Sequence, residues 1–177
     1  MNIPNLLTLF RIVASFAVLY YGVRNEWTLA FPIFCIAALT DMIDGAVARL
    51  LHQRTRLGSF LDPMADKLLM FFSFVALTLG HFLPLPLTIL VIARDLLISA
   101  GILILKIKKI PMIYRPTTLS KMTTLSQIIL VFTAMLMTRG VAPPFPIRFA
   151  VVVTALLTFT TALQYLRIGL KMLRGVQ

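Results

Sequence analysis

The chain has 177 residues, 59% of them hydrophobic, with a net charge of +11 and a mean hydropathy of +0.94. A soluble domain is about 45–50% apolar, so this composition excludes an ordinary soluble protein and favours an integral membrane protein. The basic residues stand in short clusters between apolar runs, which indicates topology signals and contacts with anionic headgroups rather than binding of nucleic acid.

Six apolar segments follow one another along the chain. Their approximate ranges are 6–23, 28–50, 63–82, 85–105, 119–138 and 146–168. Each is predicted to be a helix, because a membrane-spanning segment must satisfy its own backbone hydrogen bonds. Short loops join the segments, and there is no internal repeat or separate soluble domain. The sequence therefore predicts an all-α integral membrane protein with six transmembrane helices and a single domain over residues 1–177.

The first segment starts with polar residues spaced three apart. Asn5, Thr8 and Arg11 share one face of a helix at this spacing, and Pro4 suits a first helical turn. We therefore predict a short N-terminal amphipathic helix that lies at the membrane interface before the first crossing. The alternative is a polar helix start whose charge only sets topology.

The Lys and Arg residues at segment ends and in loops are divided unequally between the two sides of the predicted bundle. One side carries twelve, namely Arg11, Arg49, Arg54, Arg56, Lys106, Lys108, Lys109, Arg115, Lys121, Arg167, Lys171 and Arg174. The other side carries three, namely Arg24, Arg139 and Arg148. The positive-inside rule then predicts that both termini and the loop near residues 49–62 are cytoplasmic.

Four of the six acidic residues lie in the stretch DMIDGAVARLLHQRTRLGSFLDPMAD, residues 41–66. Asp41 and Asp44 are spaced i, i+3, and Asp62 and Asp66 are spaced i, i+4, so each pair shares one helix face. The linker between the two helices is short and basic. An antiparallel helix pair can therefore bring both carboxylate faces together near the cytoplasmic edge of the membrane.

Four neighbouring carboxylates cannot all stay ionised without cations. Their hard oxygen ligands suit Mg²⁺ or Mn²⁺, and two such ions about 4 Å apart can bind a diphosphate. The nearby Arg49, Arg54 and Arg56 would add phosphate contacts. The alternative makes Asp62 an N-cap before Pro63 and pairs Asp41 and Asp44 with basic loop residues.

The pattern D-x-x-D-G-x-x-A-R-x(8)-G-x-x-x-D-x-x-x-D over residues 41–66 resembles the signature of the CDP-alcohol phosphatidyltransferase family. The stretch NIPNLLTLFR, residues 2–11, resembles the N-terminal stretch of the family's glycerol-lipid branch. The resemblance implies a six-helix enzyme of a bacterial or mitochondrial-type inner membrane. Such an enzyme transfers a phosphatidyl group from CDP-diacylglycerol to an alcohol and releases CMP. A homodimer is also implied.

The same resemblance implies roles for named residues. Asp41, Asp44 and Asp62 would bind two divalent ions, with Asp66 contributing at the second ion. Asp66 would also be the catalytic general base that takes the proton from the incoming hydroxyl. The implied CDP-diacylglycerol-binding residues are Asn5, Thr8, Gly45, Ala48, Arg49, Thr55 and Gly58.

Two acceptor alcohols fit the resemblance. In stretches similar to residues 92–103 and 119–131, the enzymes that use glycerol 3-phosphate carry basic residues where Ile102 and Thr123 stand here. A phosphomonoester carries nearly two negative charges, so the missing cations favour phosphatidylglycerol as acceptor, giving cardiolipin. Glycerol 3-phosphate, giving phosphatidylglycerolphosphate, is the alternative. The predicted acceptor-binding residues are Arg94, Arg115 and Lys121.

Other interpretations share parts of this pattern. A UbiA-like prenyltransferase also binds a diphosphate through magnesium and Asp-rich motifs, but those motifs lie far apart in its sequence. A divalent-cation transporter would use the same carboxylates, although transport sites usually lie near the midplane between inverted repeats. Arg94 could pair with neighbours of Asp95 or snorkel instead of meeting the acceptor. His52 and His81 receive no role.

Overall fold

The structure, a computed structural model, describes residues 3–51, 58–108, 117–141 and 144–173. Within the helices, the side chains of residues 3–5, 41–51, 58–63, 66, 106, 144–146 and 173 lie outside this described part. The helices are α1 (Ile3–Val23), α2 (Trp27–Leu51), α3 (Gly58–Leu79), α4 (Leu85–Ile107), α5 (Thr118–Met137) and α6 (Pro144–Leu173). No strand occurs in the described ranges.

Each predicted apolar segment corresponds to one helix, so the all-α prediction is confirmed. The largest differences lie at the start of α3, which begins at Gly58, and at the end of α6, which continues to Leu173. Both differences have one cause. Charged residues interrupt the apolar run at both places, namely Asp62 in α3 and Arg167 and Lys171 in α6, whereas the helical hydrogen bonds continue past them.

Four helices are long and apolar enough to cross a membrane. Their candidate spans are Leu6–Val23, Leu85–Leu105, Thr118–Met137 and Ile147–Met172. In α2 and α3 the described apolar stretches are shorter, at Trp27–Thr40 and Lys67–Leu79, because the rest of each helix has undescribed side chains. The described residues therefore indicate an integral membrane protein with four candidate spans, and the prediction of six crossings is not confirmed.

The predicted separate amphipathic helix is absent from the described residues, since α1 is continuous over Ile3–Val23. Pro4 stands in the first turn, where its missing N–H breaks no helical bond, and no other proline or glycine precedes Gly22. The predicted polar face does exist. Thr8 is 1% exposed and Arg11 is fully buried, so this face is turned into the protein.

The chain divides into two compact units. The first comprises Met1–Leu83 with Thr133–Ala142, and the second comprises Pro84–Phe132 with Pro143–Gln177. In the first unit, α1 packs against both α2 and α3, which also contact each other. In the second unit, α4 packs against α6, and hydrogen bonds join α5 to both of these helices.

A tight corner in the first unit is filled by Trp27, the first residue of α2. Its ring meets Phe82 edge-on, with the ring centroids 5.5 Å apart. A Cβ atom added to Gly22 would lie 2.7 Å from the Cβ of Ala76, and one added to Gly80 would lie 2.8 Å from the Trp27 ring. Glycine is required at both positions because any side chain would push α1 or the Trp27 ring away.

The turn after α3 is closed by His81, which takes a left-handed backbone conformation with φ of 61°. The N–H of Phe82 donates to the carbonyl of Leu77 at 2.8 Å, which satisfies a carbonyl at the helix end in the manner of a Schellman motif. Pro84 follows shortly and prevents the helix from continuing. His81 therefore ends a helix, a role that its sequence position did not predict.

Two of the arginines predicted on the non-cytoplasmic side lie over aromatic rings in the first unit. The Arg24 guanidinium is 4.4 Å from the centroid of the Tyr20 ring, and that of Arg139 is 5.7 Å from the Phe31 ring. Tyrosine and tryptophan are typical of the membrane–water interface. These contacts fit residues that lie at a membrane surface.

The close approach of α1 to α3 predicts that Gly22→Ala destabilises the protein. The new methyl group would meet the Cβ of Ala76, and overpacking of this kind costs about 1–3 kcal/mol. The better helix propensity of Ala offsets about 1 kcal/mol of this cost. Gly169→Ala is the matched control, because nothing lies within 4 Å of its added Cβ. Thermal unfolding in detergent should show a lower midpoint for Gly22→Ala only. Equal midpoints would contradict the close packing.

Candidate functional site

The four predicted metal ligands belong to two helices of the first unit. Asp41 and Asp44 lie in the second half of α2, and Asp62 and Asp66 lie in the first turns of α3. Helical backbone at both places gives each pair a common helix face, and α2 contacts α3. The side chains of all four lie outside the described part of the chain, so the shared metal site stays a prediction.

The interpretation of Asp62 as an N-cap is wrong. The helix begins at Gly58, so Asp62 lies one turn inside α3 and Pro63 is not its first residue. A capping side chain must precede the helix in order to accept from the N–H groups of its first turn. The start of α3 therefore gives Asp62 no capping role.

The predicted CDP-diacylglycerol-binding residues are distributed over three helices and the undescribed stretch between α2 and α3. The structure places Asn5 and Thr8 in α1, Gly45, Ala48 and Arg49 in α2, and Gly58 at the start of α3. Thr8 is the one whose side chain is described, and it is buried. Thr55 lies outside the described residues. Arg11, on the same face as Thr8, is buried as well, and a buried charge in an apolar bundle is a functional candidate.

No group of three or more His, Cys, Asp or Glu side chains that could hold a metal occurs among the described residues. Of the six acidic residues, the side chains of Glu26 and Asp95 are the two within the described part. An acidic metal site in this chain would therefore have to draw on the predicted aspartates of α2 and α3.

Arg94, a predicted acceptor-binding residue, lies in the interior of α4 with its side chain 7% exposed. Its Nη1 donates to Oδ1 of Asp95 at 2.6 Å, and its Nη2 donates to Oγ of Ser120 at 2.8 Å. The snorkelling alternative is wrong, because a snorkelling side chain would reach water. Arg94 is instead held inside the second unit by an ion pair and a hydrogen bond.

The guanidinium of Arg94 keeps donor capacity beyond these two contacts. No described residue accepts a hydrogen bond from its buried Nε. A buried donor without an acceptor is costly, and a buried charge is more so, unless a ligand or water completes the site. The arrangement can present N–H groups to an anion.

Ser120 connects Arg94 to the start of α5 and to α6. Its backbone N–H donates to Oγ1 of Thr117 at 3.2 Å, so Thr117 is the N-cap of α5. The Thr117 hydroxyl in turn donates to Oε1 of Gln164 at 3.2 Å. One hydrogen-bonded chain therefore joins α4, the first turn of α5 and α6.

Further polar contacts continue between α5 and α6. They are Thr123 Oγ1 to Thr161 Oγ1 at 2.7 Å, Gln127 Nε2 to Thr158 Oγ1 at 3.4 Å, and Thr154 Oγ1 to the Ser126 carbonyl at 3.3 Å. Such interhelical bonds stabilise helix association where hydrocarbon surrounds the helices. The sequence analysis missed these pairs, although Thr154, Thr158 and Thr161 recur at i, i+4 and i+7 and therefore share one face of α6.

Lys121, another predicted acceptor-binding residue, is exposed on α5 directly after Ser120. It lines a shallow groove of about 360 Å³ whose described lining is Ser120, Lys121, Thr124, Leu125 and Ile128. Ser120 therefore bonds the buried Arg94 and lines the same groove as the exposed Lys121. Arg115 lies outside the described residues.

Comparison with known proteins identifies the family. The model of the CDP-alcohol phosphatidyltransferase family matches residues 1–167, and the chain belongs to this family. It is 37% identical over 121 residues to the human cardiolipin synthase (CMP-forming). The aligned residues cover 68% of this chain and 39% of the human protein. The chain thus spans about two fifths of the length of the human relative and of its rat counterpart.

Two bacterial relatives have a different name, CDP-diacylglycerol–glycerol-3-phosphate 3-phosphatidyltransferase. The Aquifex aeolicus protein is 39% identical over 129 residues, which cover 71% of this chain and 70% of that protein. The Escherichia coli protein is 45% identical over 105 residues, which cover 56% and 57% of the two chains. The acceptor prediction left two alternatives, phosphatidylglycerol and glycerol 3-phosphate. The names of the relatives include an enzyme for each, a cardiolipin synthase and a glycerol-3-phosphate 3-phosphatidyltransferase.

The contact between Thr123 and Thr161 predicts that Thr123→Val weakens the packing of α5 on α6. Interhelical hydrogen bonds inside membrane proteins contribute about 0.6 kcal/mol on average and at most about 1.7 kcal/mol, so a loss of about 0.6 kcal/mol or somewhat more is expected. Thr160→Val is the matched control, because that hydroxyl is exposed and bonds carbonyls of its own helix. Unfolding by SDS titration in mixed micelles measures both variants. A control as unstable as Thr123→Val would contradict the interhelical role.

Proposed function

We propose that the chain transfers a phosphatidyl group from CDP-diacylglycerol to a glycerol-type alcohol and releases CMP. The family match over residues 1–167 carries this proposal. The match includes the motif at residues 41–66 and the two contacting helices on which the motif lies. In the cell the reaction would belong to phospholipid biosynthesis.

The reaction is a displacement at phosphorus. The hydroxyl oxygen of the acceptor attacks the phosphorus that carries diacylglycerol, and the P–O bond to CMP breaks. CMP leaves with the bonding electron pair, and the hydroxyl proton goes to the carboxylate of Asp66. Negative charge grows on the leaving phosphate, where the guanidinium of Arg49 stabilises it. A carboxylate is a modest base, so close positioning of the alcohol has to compensate.

Two divalent ions, Mg²⁺ or Mn²⁺, fit the donor set of this site. Asp41, Asp44 and Asp62 would hold them, and Asp66 would contribute at the second ion. The helical backbone of α2 and α3 supports this assignment, since it gives each aspartate pair one face on helices that contact each other. When bound, the ions would neutralise the diphosphate and its leaving group.

The nucleotide lipid would bind along the same helices. The proposed contacts are Asn5, Thr8, Gly45, Ala48, Arg49, Thr55 and Gly58. Gly45 and Ala48 lack bulk, so a ligand can approach the α2 backbone closely. The burial of the Thr8 hydroxyl supports the proposal, because it brings a polar group into the unit where α1 packs against α2 and α3.

The acceptor would be bound through its phosphate by Arg94 and Lys121, together with Arg115. The unused donors of the buried Arg94 support this role, and Lys121 lies on the adjoining groove. Phosphatidylglycerol is the favoured acceptor, giving cardiolipin, because Thr123 and Ile102 are uncharged. The names of the Aquifex aeolicus and Escherichia coli relatives support glycerol 3-phosphate as the second candidate.

The membrane arrangement that accompanies this function has six crossings, with the aspartates at the cytoplasmic side of a bacterial or mitochondrial-type inner membrane. The 25 residues of α2 and the 22 of α3 support it, since about 20 residues cross a bilayer. The excess of Lys and Arg on one side supports the orientation. A homodimer rests on the family resemblance.

The activity is tested by CMP release from purified protein in micelles that contain CDP-diacylglycerol and Mg²⁺. We expect release that depends on an added acceptor and is lost when a chelator removes the divalent ions, because the carboxylates would then repel the diphosphate. A divalent-cation transporter, the distant alternative, would release no CMP. Absence of CMP under every metal and acceptor condition would contradict the proposal.

The acceptor is tested in the same assay by exchanging phosphatidylglycerol for glycerol 3-phosphate. Because the groups near Arg94 suit a phosphate with one negative charge, we expect faster CMP release with phosphatidylglycerol, and cardiolipin as the lipid product. Faster release with glycerol 3-phosphate would reverse the choice of acceptor and leave the reaction class unchanged.

The base role predicts that Asp66→Asn lowers turnover by about 100-fold or more, as expected for loss of a general base, while CDP-diacylglycerol still binds. Turnover and equilibrium binding of the nucleotide lipid are measured separately. Glu26→Gln, at an acidic residue beside α2 and outside the motif, is the control and should keep full activity. A near-normal rate for Asp66→Asn would show that another group accepts the proton.

A further inference from the structure

We infer that Ser120 is a positioning residue for the acceptor, which acts by holding the guanidinium of Arg94, and that Thr117 and Gln164 fix the turn that carries Ser120. The inference rests on the proposed function, in which Arg94 binds the phosphate of the acceptor. Ser120 lies outside the carboxylate motif and outside the predicted binding residues.

The orientation of the Arg94 guanidinium depends on two contacts at different nitrogens. Asp95, the next residue on α4, accepts from Nη1, and Ser120, on another helix, accepts from Nη2. The guanidinium is planar, so two fixed nitrogens define the plane of the whole group and the direction of its remaining N–H bonds. The Asp95 contact is local to α4. The Ser120 contact is therefore the one that directs the group toward α5.

Ser120 is itself held in place through its backbone N–H. Its N–H donates to the capping hydroxyl of Thr117, and that hydroxyl donates to Gln164 on α6. Ser120 is 9% exposed, so its side chain has few alternative positions. The position of Arg94 on α4 is thereby tied to α6 through the first turn of α5.

The electrostatics of this turn favour an anion. The first turn of a helix is the positive end of its dipole, and a cation is disfavoured there. Ser120 nevertheless brings the Arg94 guanidinium to the first turn of α5, and Lys121 adds a second cation beside it. Asp95 supplies a single negative charge. An arriving phosphate would relieve the excess of positive potential.

Packing of α5 on α6 does not depend on the Ser120 hydroxyl. That packing has its own hydrogen bonds, such as the 2.7 Å contact between Thr123 and Thr161. Removal of the hydroxyl should therefore leave α5 packed on α6, while it frees the guanidinium of Arg94 from its bond to α5. This separation distinguishes a positioning role from a general structural one.

The test measures KM for both substrates and kcat by CMP release in micelles, with phosphatidylglycerol and glycerol 3-phosphate as alternative acceptors. Ser120→Ala should raise KM for the acceptor by about tenfold, the size expected for a lost hydrogen bond to a charged group. KM for CDP-diacylglycerol should not change. Ser120→Thr, which keeps a hydroxyl, should restore most of the affinity. Gln164→Ala should raise the same acceptor KM by a smaller factor.

Ser126→Ala is the matched control, because it makes the same change on α5 at a hydroxyl that donates to its own helix. It should leave both KM values unchanged. The unfolding midpoint is recorded for every variant. Equal increases in both KM values for Ser120→Ala, or a lowered midpoint without rescue by Ser120→Thr, would overturn the inference in favour of a structural role.

Arg94→Lys separates failure of the inference from failure of the proposed function. If Arg94→Lys raises the acceptor KM and Ser120→Ala does not, the positioning role is overturned while the acceptor site stands. If neither variant raises it, the role of Arg94 in acceptor binding fails, and the inference fails with it. If Ser120 acts through Arg94, adding Ser120→Ala to the Arg94→Lys variant should raise the acceptor KM no further. Both changes remove the same interaction, the one between Ser120 and the Arg94 guanidinium.

Discussion

Polar side chains within a bundle of apolar helices must find partners inside the protein, on their own helix or on another, because hydrocarbon supplies neither donors nor acceptors. This constraint shapes both units. In the first, the polar face of α1 is buried, with Thr8 and Arg11 directed into the protein. In the second, Arg94 is paired with Asp95 and bonded to Ser120 across two helices. A buried polar group that bonds another helix, as Arg94 does, becomes a fixed point between helices, and binding sites can be assembled from such points.

The helices could be predicted from the sequence because the same constraint works along the chain: an apolar run in a bilayer has to be helical. Helix ends could not be predicted equally well. The start of α3 at Gly58 and the end of α6 at Leu173 lie in turns that mix apolar with charged residues, where helical hydrogen bonds continue although charges interrupt the apolar run. The polar face at the N-terminus was predicted correctly, because Thr8 and Arg11 do share one side of α1. The prediction that this face lies at the membrane interface was wrong, since it is buried in the protein.

The two parts of the candidate site, the aspartate motif and the contacts of Arg94, were predictable to different extents. The aspartate motif stands out because carboxylates are rare in this chain, and the helical backbone of α2 and α3 agrees with its spacing. Arg94 stands out for the same reason as a charge within an apolar run. Its partner Ser120 does not, since a lone serine fits many positions in an apolar helix. That pair is separated by 26 residues and exists only through the packing of α4 and α5.

The charges around Ser120 bear on the choice of acceptor. Among the described side chains there, Arg94 and Lys121 are positive and Asp95 is negative, which leaves a small positive excess. A phosphodiester with one negative charge matches this excess better than a phosphomonoester, which would need further cations. Position 123 cannot easily supply one, because Thr123 is fully buried and its hydroxyl is 2.7 Å from that of Thr161. If the acceptor binds as proposed, the polar packing of α5 on α6 would thus limit how much anionic charge it can carry.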